Sequence, residues 1–205
     1  MKKLIVFFGG LFIVYFGVAL LLELNIGSDP FTVFTQGIAH VVGITPGGAN
    51  RIITCILLVI LGIFSRKSIQ IGCFLSLLFA GVFIDLSLWF IAPLHLGELY
   101  FVGRLVLFMV ACIIIGIGFP LLKCANLGVS PNDLVYLILS DKLNKPYRIV
   151  RMGVDFILAI VGFLLGGVIG LGTVLCVIFI GPTIQFFFDK VERVANKFLG
   201  EVEIT

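Results

Sequence analysis

Long apolar runs divided by short polar punctuation set the plan of the chain. The run from Leu4 to Leu22 follows Met1-Lys2-Lys3 and has the length of a membrane span, roughly 19 residues at about 1.5 Å each against a core of about 30 Å. A basic start and an apolar stretch also describe a signal peptide, but the run is long enough to span and no small-x-small cleavage site follows it. Further spans are expected from Pro46 to about Phe64, Ile69 to Ile91, Arg104 to Leu122, Pro146 to the Gly167–Gly172 turn, and Thr173 to about Phe188. Ser65-Arg66-Lys67-Ser68 separates the second span from the third.

Two shorter helices interrupt this series. In Asn25-Ile26-Gly27-Ser28-Asp29-Pro30, Asp29 reads as an N-cap and Pro30 as the first helical residue, opening a helix to Val42 that carries Thr32, Thr35, Gln36 and His40. Ser130-Pro131-Asn132-Asp133 is a similar, capping-box-like start for a helix ending near Leu143. Both are too short to cross, which makes them re-entrant or interfacial. Thr45-Pro46 repeats the cap-plus-proline signal before the second span. The tail, residues 189–205, mixes charges with Val191, Val194 and Phe198 and reads as a short cytoplasmic amphipathic helix.

The pattern recurs after about 100 residues, a period that suggests a duplicated half and not a solenoid. Gly62, Ile69, Gly72, Leu75, Phe79, Gly81 and Ile84 correspond to Gly162, Ile169, Gly172, Leu175, Phe179, Gly181 and Ile184. Pro46 and Arg51 match Pro146 and Arg151; after a shift of one residue, Gly17, Asn25, Gly27 and Pro30 match Gly118, Asn126, Gly128 and Pro131. The expected organisation is therefore a first repeat over 1–99, a second over 100–188, and the tail.

Composition changes the class from any soluble fold to an integral membrane protein: 60% of residues are hydrophobic, 12% charged and 21 are Phe, with a mean hydropathy of +1.25. The fold class is all-α, a polytopic bundle of about six spans plus the two short helices. The lipid bilayer is the first partner. A net charge of +3 is too small to imply nucleic acid. The five cysteines have no metal spacing and no even framework, so they read as small hydrophobes.

Three spans per repeat is an odd number, which places the repeats in opposite orientations, as in many secondary transporters. With both termini inside, Lys2, Lys3, Arg66, Lys67, Lys123, Lys142, Lys145, Arg148, Arg151, Lys190, Arg193 and Lys197 fall on or near the cytoplasmic side, leaving Arg51 and Arg104 outside. Letting the short helices cross would give eight spans, parallel repeats, and Arg66, Lys67 and Lys123 outside.

Ionisable groups inside spans are costly and are the default functional candidates. Arg151 and Asp155 stand four apart and share a helix face. Asp85 lies toward the outer end of the third span, and Gln185 is its repeat equivalent. Arg51 with Asp85, and Arg151 and Asp155 with Gln185, then form two polar layers suited to gating a midplane site. The structural alternative is that the arginines snorkel to head groups and the acids offset them. The helix starts at Asp29-Pro30 and Ser130-Pro131 offer N-terminal dipoles to an anion, against the ordinary role of Asp29 and Asp133 as caps. His40 and His95 have no partner at ligand spacing, no phosphate loop follows a strand, and the Gly166 to Gly172 run suits close helix packing. No cofactor, metal or enzyme chemistry is expected.

The set Gly27-x-x-Pro30-Phe31-x-Val33 with Gln36-Gly37, Gly128-x-x-Pro131-x-Asp133, Arg151-x-x-x-Asp155, Leu165-Gly166-Gly167-x-x-Gly170-x-Gly172-Thr173 and Gly181-Pro182 resembles the YczE/YyaS-like bacterial membrane proteins, relatives of the YitT group. The resemblance covers essentially the whole chain and implies a multi-pass protein of the bacterial plasma membrane, without an activity to carry over. Thr32 departs from it, standing where the family commonly has an acid; Asp29, one residue before the proline, is the nearest substitute. The functional expectation is a small-molecule transporter with a site between the repeats. Its rival is a non-transporting partner whose short helices and basic loop at Lys142, Lys145 and Arg148 bind another protein or anionic lipid. Substrate, coupling ion and oligomeric state are not legible in these residues.

Overall fold

A computed structural model describes residues 1–44 and 46–199. Thr45, read above as a cap, and the end of the tail from Gly200 lie outside the described residues. Among those described there are eight α-helices and no strand: α1 Lys2–Leu24, α2 Pro30–Val42, α3 Pro46–Phe64, α4 Ile71–Ile91, α5 Phe101–Cys124, α6 Pro131–Leu143, α7 Tyr147–Leu164 and α8 Leu171–Leu199.

Local chemistry sets many of the boundaries. Asp29 is extended (φ −63°, ψ 153°) and accepts the Thr32 N–H, while Pro30 needs no hydrogen-bond partner in the first turn. The same helix stops at Gly43, whose left-handed backbone (φ 75°) lets its N–H reach the Ala39 carbonyl at 2.9 Å. Asn25, Asn126 and Asn144 take positive φ just beyond α1, α5 and α6, as asparagine tolerates better than most residues. One expectation changes. The sixth span and the tail are a single helix, because nothing between Phe188 and Asp189 breaks the hydrogen-bond ladder; Pro182 lies inside it.

Among the described residues, four helices are long and apolar enough to cross a membrane: α1, the stretch Ile71–Leu94 that contains α4, α5, and α8. Gly48–Phe64 within α3 is a shorter apolar helix. The expected fifth span, α7, has 18 residues and carries Arg148, Arg151 and Asp155.

The chain packs as two compact units, each drawing on both ends of the sequence. The first unit joins Met1–Leu24, Gln70–Ser130 and the chain from Pro182, and so holds α1, α4, α5 and the end of α8. In it, α1 and α5 run antiparallel along a seam of small residues. A Cβ on Gly10 would lie 2.7 Å from the Leu122 nitrogen, and one on Gly17 3.1 Å from the Ala111 oxygen. Such close backbone approach is the small-residue mode of helix packing expected in lipid. Phe7, Leu11, Phe108 and Phe119 are buried around it. Between α1 and α4, Phe8 meets Phe79 at 5.2 Å and Phe12 meets Phe83 at 5.7 Å, a parallel pairing. The pair α5 and α8 is also parallel, from Gly116 against Thr183 to Lys123 over the Phe188 ring at 4.5 Å. Arg104 Nε donates to the Leu24 carbonyl at 2.8 Å, satisfying the end of α1.

The second unit joins Asn25–Ile69 and Pro131–Gly181, and holds α2, α3, α6, α7 and the start of α8. Here α2 lies against α7, where a Cβ on Gly162 would come within 2.6 Å of the Phe34 Cα. The Gly166 to Gly172 run works as packing space: added Cβ atoms on Gly167 and Gly170 would strike the Val33 and Ile26 carbonyls.

Candidate functional site

The polar content of the second unit converges on Arg151. Tyr147, Arg151 and Asp155 are four residues apart on α7, so they share one face; Asp133 and Tyr136 are three apart on α6. Packing of α6 on α7 joins the two faces. Arg151 Nη1 donates to Asp133 Oδ1 at 3.2 Å and to the Tyr147 hydroxyl at 2.7 Å. Its Nε lies 3.5 Å from Asp155 Oδ2. The Tyr136 hydroxyl donates to Asp155 Oδ1 at 2.7 Å in a fully buried bond. The guanidinium also stands 4.9 Å from the Tyr136 ring centre and 5.9 Å from that of Tyr147, and the two rings meet edge to face at 6.5 Å.

The cluster is dry. Side-chain exposure is 13% for Arg151, 17% for Asp133 and 3% for Asp155. Burial holds the Tyr136 hydroxyl well above its ordinary pKa, and the Asp155 carboxylate raises it further, so Tyr136 remains a neutral donor. Two carboxylates face one guanidinium, and each partner of such a buried pair depends on the others for solvation. The arrangement is suited to holding charge in an apolar setting and to presenting a guanidinium, two carboxylates and two phenols within one small volume.

Other candidates from the sequence fall elsewhere. Arg51, Asp85 and Gln185 are exposed and lie outside the cluster. Asp29 caps α2: its Oδ1 accepts the Thr32 N–H at 3.1 Å and its Oδ2 the Thr32 hydroxyl at 2.5 Å. Ser130 and Pro131 are buried at the start of α6. His95, read as lacking a partner acid, stands with Nδ1 3.7 Å from Glu98, both exposed. Sequence reasoning missed Tyr136 and Tyr147. The signal available was their i+3 and i−4 spacing from Asp133 and Arg151 in a chain with only 4 Tyr against 21 Phe.

An all-helical chain with four apolar helices of spanning length, and one buried ionic cluster among its described residues, defines an integral membrane protein. The chain belongs to the family of unknown function DUF6198, which matches residues 1–189. It is 29% identical over 191 residues to the uncharacterized membrane protein YczE of Bacillus subtilis, covering 93% of this chain and 87% of that one. It is 26% identical over 185 residues to the uncharacterized protein YyaS of the same organism, covering 90% and 91%. An uncharacterized protein of Haemophilus influenzae is 27% identical over 180 residues, covering 88% and 80%. No solved structure matches. The resemblance read from the motifs thus holds at the level of the family.

Proposed function

We propose that the chain is a non-enzymatic small-molecule transporter of the bacterial plasma membrane, built from two inverted halves that cross six times, with its substrate site at the Arg151 cluster. The observation that carries the site is the ionic cluster itself: a guanidinium, two carboxylates and two tyrosines are held together in an apolar chain, with Asp155 and Tyr136 buried, at a cost that a purely structural helix contact does not require.

Helix directions support the crossings. Because α1 and α4 run parallel, the chain between them has to return across the bilayer once. The apolar α3 is suited to that return, whereas α2, at 13 residues and about 20 Å, falls short of a core of about 30 Å. By the same parity α7 makes the return between α5 and α8. The antiparallel pairing of α1 with α5 is what inverted halves require. Contacts exchange between the halves in the same sense. The Gly72 N–H donates to the Leu127 carbonyl at 2.6 Å, and the corresponding Gly172 N–H donates to Ile26 at 2.8 Å. An added Cβ on Gly17 meets Ile115, and one on its counterpart Gly118 meets Val14.

A second reading, a non-transporting partner, is favoured by the exposure of Lys142, Lys145 and Arg148 around the α6–α7 turn. Thermal unfolding of the purified protein across a panel of metabolites and ions separates the two. Transport predicts a ligand that stabilises by about 2.7 kcal/mol at a hundredfold excess over its Kd, an effect lost in Asp155→Asn. A panel without hits, beside a variant that is merely less stable, favours the partner.

A further inference from the structure

Three helix ends of the first unit gather on one side of it. α1 begins there, α5 ends there because it is antiparallel to α1, and α8 ends there because it is parallel to α5. They bring Lys2, Lys3, Lys123, Lys190, Arg193 and Lys197, all exposed, to the same end of the unit, spread over about 15 Å of α8 from Phe188 beside Lys123 to Phe198 beside Lys2. Among the described residues of these helix ends, Asp189 and Glu192 are the acids, so cations outnumber acids there.

α8 has 29 residues, about 43 Å at about 1.5 Å each, against a hydrocarbon core of about 30 Å. Its last turns therefore extend past the core, and these carry three of the six cations. The lysines are not simply extended into water. Lys123 Nζ stands 4.5 Å from the Phe188 ring centre, Lys190 Nζ 4.2 Å from that of Phe186, and Lys2 Nζ 5.9 Å from that of Phe198. A lysine ammonium held over an aromatic ring at a helix end is an arrangement that suits the headgroup level of a bilayer.

We propose that this end of the first unit is a docking surface for anionic phospholipid headgroups, with the lysines at Lys2, Lys123 and Lys190 as its phosphate contacts. Charge complementarity gives the sign of the partner. The source follows from position: these cations sit at the ends of helices of spanning length, so the phosphate nearest to them belongs to a lipid, whereas an acidic protein or a nucleic acid would have to compete for a surface already facing headgroups. The assignment is independent of the transport reading and holds for a protein that transports nothing. It also orients the chain, because a basic collar marks the cytoplasmic leaflet.

The test uses the full chain in phosphatidylcholine bilayers with and without phosphatidylglycerol, with bound lipid counted by native mass spectrometry. A lysine near an anionic surface contributes about 1 kcal/mol, or roughly fivefold in affinity, so the combined Lys2→Gln, Lys123→Gln, Lys190→Gln variant should lose on the order of a hundredfold in its preference for phosphatidylglycerol. Lys→Arg changes at the same three positions should keep the preference. The proposal is overturned if the triple Gln variant retains the preference or if the Arg variant loses it too.

Discussion

Arg151 and its repeat counterpart Arg51 show how one residue type acquires two roles from its neighbours. Where Arg151 finds Asp133, Asp155 and Tyr147, the corresponding first-half positions are Thr32, Cys55 and Gly47, and Arg51 is exposed. The sequence made the Arg151–Asp155 pair legible, since four-residue spacing on a helix is a local property. It did not make the tyrosines legible, because the Tyr136–Asp155 and Arg151–Asp133 bonds link residues 19 and 18 apart on different helices. Removing one member of a buried ionic set leaves an unsolvated charge. Asp155→Ala or Arg151→Ala is therefore expected to destabilise by about 3–5 kcal/mol, as read by unfolding in detergent. Tyr136→Phe removes only a donor to a charged group and should cost about 1.5–3 kcal/mol. The combined Asp133→Asn, Arg151→Met, Asp155→Leu variant, which leaves no charge of the set unpaired, distinguishes site from strut: it should recover much of the lost stability while ligand stabilisation stays absent. Recovery of both would make the set structural.

At the scale of helices, boundaries were legible wherever the stop or start is chemical and local, as at Asp29-Pro30 and Ser130-Pro131. The continuity of α8 was not, because an amphipathic tail and an apolar span differ in composition but share the same backbone preference. Helix partners were also hidden. Glycines at 10 and 17 are visible in the sequence, but not that α5 supplies the atoms they approach. Two adjacent positions test that seam. A Cβ at Gly10 would meet the Leu122 backbone, which cannot move without separating α1 from α5, so Gly10→Ala should cost about 1–3 kcal/mol. Nothing lies within 4 Å of a Cβ at Gly9, where the change to Ala should instead stabilise by about 0.5–1 kcal/mol through helix propensity. Thermal unfolding of the two variants in the same detergent reads the difference.

For the whole molecule, the spacing that suggests a repeat is visible in the sequence, while the composition of the packing units is not. Each unit draws helices from both ends of the chain, α1 and α4 with α5 and the end of α8, α2 and α3 with α6 and α7. Order along the chain groups the helices by half, whereas packing groups them by apolar length: most of the helices of spanning length fall in one unit, and the short and charge-bearing ones in the other. Helix direction carries the central claim that the halves are inverted. His40 and Asp141 occupy corresponding positions near the ends of α2 and α6, and both are exposed. Single cysteines placed there, in a background with the five natural cysteines removed, can be labelled in intact cells and in inverted vesicles with a membrane-impermeant thiol reagent. Inverted halves predict that the cysteine at 40 reacts from outside and the one at 141 from the cytoplasmic side; labelling of both from the same side would contradict it.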